Sequence, residues 1–328
     1  MKILAVDDDP IILELLTEVL RVVGFTDVTI CESAKEAIET ITQSEVPFDC
    51  FLCDIQMPEM DGIQLTSAIR KLPEYVSTPI LMITAMSDRS YIDNAFAAGA
   101  TDYVTKPFEI AEVHARMRLF SERDAERKLL EDRNPVPTPG HPAGTVTQAE
   151  LAARITPSDV TGFIDYLALE NYLLQFSRIS LFGMRAFGVV VPELARAYEA
   201  SSAYEYHATI TDFAEAISDC LKSRGFFASH AGAGEFVCVL TDGSAFDPIE
   251  FEKQLCDTVR EMDLHYCDGR PMTLLPVVGG TKGFQLKSAQ EAPKILVQAL
   301  SDAEMIARDP HAATREALPG PLQRLFAS

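Results

Sequence analysis

The sequence has no continuous apolar run of about 18 residues, the length that a membrane-spanning helix requires. Its N-terminus, MKILAVDDDP, places aspartates where a secretory signal would continue its apolar stretch. Basic residues are scarce: 28 Lys and Arg face 49 Asp and Glu, and the net charge is −21. No basic cluster in the second half has the pattern of a DNA-recognition helix. We therefore expect a soluble, cytoplasmic chain that neither enters a membrane nor binds DNA directly.

Cysteine is too sparse and irregular to indicate a disulfide framework. The seven cysteines are odd in number and scattered along 328 residues, a distribution that favours reduced thiols. Cys50 and Cys53 form a nominal CxxC motif, but they lie in the apolar run FDCFLCD, which predicts a strand. Side chains three positions apart on a strand point to opposite faces, so a metal or redox role for this pair is disfavoured.

The length of the chain favours two domains, because 328 residues exceed the usual size of one hydrophobic core. Residues 1–131 alternate apolar runs with helical periodicity, which predicts five parallel strands and five helices. The last of these helices is predicted over about 109–132. A segment rich in Pro and Gly follows and indicates a linker. The predicted boundaries are a first domain over 1–125 with its last helix extending to 132, a linker over 133–147, a second domain over 148–315 and a tail over 316–328.

The second half has an α+β pattern with a central hairpin. We predict helices over about 161–178, 207–223, 247–263 and 294–308, a strand at 186–191, a hairpin over 226–240 and a strand at 272–278.

Polar side chains end several strands of the predicted parallel sheet. Asp7 and Asp8 end the first strand, Asp54 the third and Thr84 the fourth, and Lys106 follows the fifth. Because ligands bind at the carboxyl ends of parallel strands, these groups are expected to converge. Clustered carboxylate oxygens suit Mg²⁺. Taken singly, Asp54 would be a turn residue and Lys106 a surface lysine, but five coincident strand-end positions favour a common site.

This set of residues predicts phosphoryl chemistry. With Mg²⁺ bound, Asp54 can attack a phosphohistidine as a nucleophile, and Lys106 can offset the charge on the transferring group. Thr84 can donate its hydroxyl to the phosphate, and Tyr103 can turn inward into the space that this movement frees. Three neighbouring residues are expected to be structural: Asp9 begins the next helix, and Asp61 and Gly62 form a loop or turn.

Four stretches, VDDDP, CDIQMPEMDG, TAMSD and YVTKPF, match one family in type, order and spacing. Residues 1–125 resemble the receiver domain of bacterial two-component response regulators. The resemblance implies a flavodoxin-like (βα)5 fold, a cis bond between Lys106 and Pro107, and a cognate histidine kinase or phosphotransfer protein as partner. It also implies the following roles: Asp54 as phosphoacceptor; Asp7, Asp8, Asp54 and the Gln56 carbonyl as Mg²⁺ ligands; and Thr84, Lys106 and Tyr103 as phosphate-binding and switch residues.

The second half resembles the GGDEF domain of diguanylate cyclases at four places. They are the run DVTGF at 159–163, His207 with the helix that follows it, the hairpin turn Gly232, Ala233, Gly234, Glu235 and Phe236, and the run DAEMIAR at 302–308. The resemblance implies an α+β, nucleotidyl-cyclase-like fold.

The residues that a cyclase needs for catalysis are mostly replaced. Alignment to the family puts Leu194 and Arg196 at its strand-end aspartates, Ser202 and Ala203 at its Asn-Asp pair, Gly234 at the acidic hairpin position, and Ser223 and Phe226 in its product-inhibition motif. Two metal ligands are thereby lost. We expect a degenerate domain without catalytic residues and without cyclic di-GMP binding, in which Glu235 is a surface carboxylate and His207 and His230 are structural.

These residues leave two possible functions for the second domain. The first is a binding output, in which phosphorylation alters dimerisation through the fourth helix, fifth strand and fifth helix, or alters contact with an unidentified downstream protein. The alternative is an enzymatic or sensing output, in which Glu193 and Glu235 support a rearranged metal site that cyclises, hydrolyses or simply binds GTP.

Overall fold

The computed structural model describes residues 1–133, 151–157, 159–194, 203–266, 268–285 and 288–308. The predicted linker beyond residue 133, the tail at 316–328, and the positions Arg196 and Ser202 lie outside the described residues. The chain divides into two compact units, Met1–Val136 and Pro137–Ser328. None of the helices in the described part is long and apolar enough to span a membrane.

The first unit is a five-stranded parallel sheet with its helices in alternation, as the sequence predicts. The strands are β1 (Ile3–Val6), β2 (Val28–Cys31), β3 (Cys50–Cys53), β4 (Ile80–Thr84) and β5 (Asp102–Thr105), in the order β2-β1-β3-β4-β5. The helices are α1 (Pro10–Val22), α2 (Ala34–Gln43), α3 (Gly62–Arg70), α4 (Arg89–Ala97) and α5 (Ile110–Arg133). The flavodoxin-like (βα)5 prediction is confirmed.

The central strands are continuous apolar runs because both faces of the sheet are covered by helices. Every residue of β1, β3 and β4 is buried. Cys50 and Cys53 are fully buried in β3, and burial raises the pKa of the Cys53 thiol to about 12. Both cysteines therefore serve as neutral core side chains.

The second unit contains an antiparallel sheet with helices. Its strands are β6 (Arg185–Val190), β7 (Phe226–Gly232), β8 (Glu235–Leu240), β9 (Val277–Val278) and β10 (Lys282–Gly283), in the order β10-β6-β8-β7 with β9 also on β6. Its helices are α6 (Tyr166–Leu174), α7 (Arg178–Leu181), α8 (Ala203–Leu221), α9 (Pro248–Glu261) and α10 (Ala292–Arg308). The expectation of a second unit of mixed α and β structure with a central hairpin therefore holds.

Two predicted elements of this unit are shorter in the structure. The helix expected over 161–178 begins only at Tyr166, because Phe163 lies beside β7 in a parallel bridge to Ala228 and Asp165 then caps the helix. The strand expected over 272–278 shrinks to β9. Pro276 directly precedes β9 and has no N–H to donate to a sheet ladder, so the pairing cannot extend through it.

Candidate functional site

The ends of β1 and β3 bring three carboxylates together. Asp7 follows β1 and is 1% exposed, while Asp54 follows the adjacent β3 and is 4% exposed. Asp8 is exposed to solvent, and one oxygen of each of the three aspartates lies within 4.8 Å of the others. This is the only group of three potential metal ligands among the described residues. The convergence expected at this edge of the sheet is present.

Lys106 places an ammonium group between the two buried carboxylates. Its Nζ lies 2.6 Å from Asp7 Oδ2 and 3.0 Å from Asp54 Oδ1. Burial alone would lower the pKa of Lys106, but the hydrogen bonds to both aspartates outweigh it, and the net pKa is raised. Burial raises the pKa of Asp7 against the opposing effect of Lys106. The lysine is therefore a fixed positive charge, and the site retains net negative charge that a cation can neutralise.

Thr84 and Tyr103 both form hydrogen bonds with the backbone of Met86. Thr84 is fully buried at the end of β4, and its Oγ1 accepts a hydrogen bond of 3.3 Å from the Met86 N–H. Tyr103 on β5 is 1% exposed, and its hydroxyl donates to the Met86 carbonyl. Burial raises the pKa of Tyr103, so its phenol stays a neutral donor. The Tyr103 side chain is already turned inward. The backbone of Met86 connects its hydroxyl to that of Thr84 at the end of β4.

Two further aspartates near the site have structural roles: Asp9 begins α1 as expected, whereas Asp61, expected in a loop or turn, is the N-cap residue of α3. Asp9 caps α1 by accepting a hydrogen bond from the Ile11 N–H, and its own N–H donates to Asp7 Oδ1 over 3.0 Å. Asp61 forms a capping box with Gln64 at the start of α3. Asp9 thus also orients the Asp7 carboxylate, a contact that its expected capping role did not include.

Gly62, expected in a loop or turn, is instead the first residue of α3, and it makes a contact that the sequence pattern does not indicate. A Cβ atom built at this position would lie 2.0 Å from the backbone oxygen of Asp54 and 2.8 Å from its carbonyl carbon. Both clashing atoms are backbone, so no rotation of a side chain can relieve them. The first turn of α3 therefore lies directly against the peptide unit of Asp54 and holds it in place.

We expect Gly62→Ala to lower the unfolding free energy of the first unit by about 3 kcal/mol, because the new methyl group forces Asp54 to move. Gly24→Ala is the matched control, because nothing lies within 4 Å of a Cβ atom at that position. Its φ of +100° lies in the left-handed region, so alanine there is strained by about 1–2 kcal/mol without any close contact. Denaturant titration of both variants measures the difference. Equal losses would contradict the close-contact explanation.

Residues 3–118 match the family model of the response regulator receiver domain. The first unit is a receiver domain. The chain is 38% identical over 114 residues to the signal transduction histidine-protein kinase BarA of Escherichia coli K12, a match that covers 35% of this chain and 12% of BarA. It is 36% identical over 123 residues to the transcriptional regulatory protein CrdR of Helicobacter pylori, covering 38% of this chain and 56% of CrdR.

Among solved structures, the chain matches a putative response regulator from Chloroflexus aurantiacus, with 38% identity over 36% of this chain and 95% of that chain and a TM-score of 0.34. The chain thus spans only a small share of BarA and about half of CrdR. The family match ends at residue 118 and does not extend to the second unit.

The receiver domain has a suitable oxygen set for Mg²⁺. Asp7, Asp8 and Asp54 supply carboxylate oxygens from adjacent positions, and hard divalent cations prefer such ligands. Gln56 is an exposed residue two positions after Asp54, and its role as a carbonyl ligand stays a prediction. The bond between Lys106 and Pro107 is cis, as the resemblance implies.

In the second unit, the residues of the predicted signature form the tight turn between β7 and β8. Gly232, Ala233 and Gly234 have φ values of +107°, +52° and +78°. Phe236 is fully buried, with its ring centroid 5.1 Å from that of Phe213. Glu235 is half-buried rather than the surface carboxylate that was expected, because it faces the side chain of Glu304 on α10. Burial and this neighbour raise the pKa of Glu235 to about 7.

The turn has no room for a side chain at Gly234, the position that the resemblance aligns with an acidic residue. A Cβ at Gly234 would lie 2.8 Å from the Cβ of Leu194 and 2.9 Å from the backbone oxygen of Val191. Leu194 is fully buried, so an apolar side chain fills the space beside the turn. Glu193 faces another part of the unit, where its carboxylate accepts a hydrogen bond of 3.3 Å from the Leu275 N–H. Within the described residues, neither Glu193 nor Glu235 joins a group of three metal ligands.

His230 is a buried, neutral side chain on β7. Its Nδ1 accepts a hydrogen bond of 3.1 Å from the Ile155 N–H, and burial lowers its pKa to about 3. The described structure shows no hydrogen-bond partner for its Nε2. These features favour a structural role, since a histidine that stays neutral can keep its hydrogen bond throughout the physiological pH range.

We expect His230 to make the second unit less stable in mild acid. Its folded pKa is depressed below the unfolded value near 6.5, so the unfolded chain binds the extra proton as the pH falls. From pH 7 to 5 the unfolding free energy should decrease by about 2 kcal/mol from this group. The difference in pH slope between the wild type and His230→Phe measures the effect, with the exposed His265→Phe in the same unit as control. Identical slopes for all three proteins would contradict it.

Proposed function

We propose that this chain is a response regulator phosphorylated on Asp54 by a histidine kinase or a phosphotransfer protein. The observation that carries the proposal is the buried Asp54 carboxylate, which contacts Lys106 and lies beside Asp7 at the end of β3. A carboxylate oxygen of Asp54 forms a bond to phosphorus as the phosphorus–nitrogen bond of the phosphohistidine breaks. Mg²⁺, when held by the aspartates and the Gln56 carbonyl, supplies positive charge for the transferring phosphoryl group.

The residues around Asp54 have complementary roles in this proposal. Lys106 lies within hydrogen-bond distance of Asp54 and can follow the developing phosphate charge. Thr84 can exchange its contact with Met86 for a hydrogen bond from its hydroxyl to the phosphate. Because Tyr103 contacts the same Met86, that exchange would alter the loop before α4 and the α4–β5–α5 face. We propose dimerisation through this face as one consequence of phosphorylation.

The output that we propose is binding rather than catalysis. The second unit is taken as a degenerate GGDEF domain, and its turn at Gly234 is closed by Leu194 where a cyclase requires a carboxylate. With a net charge of −21, a protein partner in the cytoplasm is a better target than DNA. Crosslinking of the full chain to a panel of candidate partners, with and without acetyl phosphate, tests the proposal. Identical partner profiles in both states would refute the binding output.

The enzymatic alternative makes a different prediction for GTP. If Glu193 and Glu235 supported a rearranged metal site, the full chain would convert GTP to cyclic di-GMP or GDP in the presence of Mg²⁺. We expect no turnover above that of the Glu235→Ala variant, because Glu193 contacts Leu275 and Glu235 contacts Glu304. Calorimetric titration with GTP separates simple binding from inertness. Turnover that Glu235→Ala removes would replace our proposal with the enzymatic one.

A further inference from the structure

The segment that follows the linker lies on the turn between β7 and β8. We call residues 151–155 the strap and residues 230–235 the hairpin turn. The Ala233 N–H donates a hydrogen bond of 2.8 Å to the Leu151 carbonyl, and His230 Nδ1 accepts one of 3.1 Å from the Ile155 N–H. These two bonds join the first residue of the strap to the tip of the turn and the last residue of the strap to β7, the strand that leads into the turn.

The strap also packs closely against the turn. A Cβ at Gly232 would lie 2.6 Å from the backbone oxygen of Ala152, so the strap backbone occupies the space that a side chain would need. Leu151 and Ile155 pack, partly buried, against the hydrophobic core of the unit. The strap is therefore part of the folded unit. It has one defined position, because both hydrogen bonds and apolar packing hold it there.

Displacement of the strap from the turn would destabilise the surroundings of His230 in particular. This side chain is buried, and the described structure shows no partner for its Nε2, so the Ile155 N–H supplies its one hydrogen bond there. A displaced strap leaves a buried imidazole with both nitrogens unsatisfied, and such a group favours rearrangement of its surroundings. The strap and the turn should thus move together rather than independently.

On its other side, the hairpin turn contacts elements that could meet a partner. The Gly234 carbonyl accepts a hydrogen bond of 3.0 Å from the Val191 N–H, and Glu235 faces Glu304 on α10. Met305, the next residue of α10, is 57% exposed. A change at the strap can therefore reach an exposed part of α10 through a turn of only six residues.

We propose that the strap conveys the phosphorylation signal of the receiver domain to the hairpin turn and α10. The proposal rests on the proposed function, and it adds the route by which the second unit is regulated. The strap is suited to this role by its place in the chain, because residues 134–150 connect it covalently to α5 of the receiver domain. A signal that reaches the second unit along the backbone arrives first at residues whose hydrogen bonds are made to the turn.

Hydrogen exchange of the full chain with and without acetyl phosphate and Mg²⁺ tests this route. We expect phosphorylation to change the exchange rate of peptides covering 226–240 by about tenfold. Ile155→Pro removes the N–H that His230 accepts, so it should raise the exchange of these peptides and abolish their response to phosphorylation. Ile155→Val keeps the N–H and most of the apolar contact, and it should respond as the wild type does.

Intact-mass measurement of the same samples separates the two proposals. If Asp54 is phosphorylated in all three proteins but exchange over 226–240 is unchanged in the wild type, the strap proposal is wrong and the proposed function stands. An undiminished response in Ile155→Pro also refutes the strap. If the wild type is not phosphorylated by acetyl phosphate or by a phosphohistidine donor, the proposed function fails, and the strap proposal fails with it.

Discussion

Replacing Asp54 with alanine should abolish phosphorylation of this chain by a phosphohistidine donor. The acceptor carboxylate is removed, and the neighbouring carboxylates cannot take its place. Asp7 is held by Lys106 and by the Asp9 N–H, and Asp8 lies at the exposed rim of the site. We expect labelling to fall by at least about 100-fold, as for loss of a nucleophile. Transfer from a phosphorylated histidine kinase, followed by gel autoradiography or intact mass, measures the loss.

The fold should survive this substitution. Asp54 is 4% exposed and contributes a buried negative charge beside Asp7, so its removal relieves repulsion as well as breaking a contact with Lys106. Asp54→Asn, which preserves the shape of the side chain, should lose labelling to the same extent. Asp93→Ala, on α4, where the Asp93 carboxylate pairs with Arg89 over 3.5 Å, should retain it. Undiminished labelling of either Asp54 variant would overturn the assignment of the acceptor.

The second large effect is expected at Lys106. Replacing it with methionine should lower the unfolding free energy of the receiver domain by about 3 kcal/mol without Mg²⁺, because two buried carboxylates lose their only described cationic neighbour within hydrogen-bond distance. Asp7, whose pKa burial already raises, should then protonate more readily, so the deficit should shrink as the pH falls. Denaturant titration of both proteins at several pH values, from neutral to mildly acidic, measures both effects.

Two additions sharpen the test at Lys106. Mg²⁺ should recover part of the lost stability, because a cation bound by the same carboxylates replaces the missing positive charge. The double variant Lys106→Met with Asp54→Asn should also recover, since only one buried charge then remains. Lys71→Met, an exposed lysine after α3, is the control and should be near neutral. A Lys106→Met protein as stable as this control would show that the ammonium does not balance the site.

The receiver fold and the composition of its site could be predicted from local patterns along the chain. Apolar runs in alternation with helical periodicity define the elements, and parallel strands bring their carboxyl ends to one edge. Asp7, Asp54 and Lys106 were predictable for this reason: each follows a recognisable strand, so its position depends on local pattern and on a general rule of topology. In the second unit the same local signals located the hairpin and most of the helices.

Contacts between residues distant in the chain became apparent only in the folded structure. The approach of Gly62 to the Asp54 peptide, the meeting of Glu235 with Glu304 and the seat of the strap on His230 leave no periodic trace in the sequence. The short β10 has no apolar run, and Pro276 shortened β9. Periodicity reports which face of an element is buried, whereas the identity of the residues that meet depends on how the elements pack.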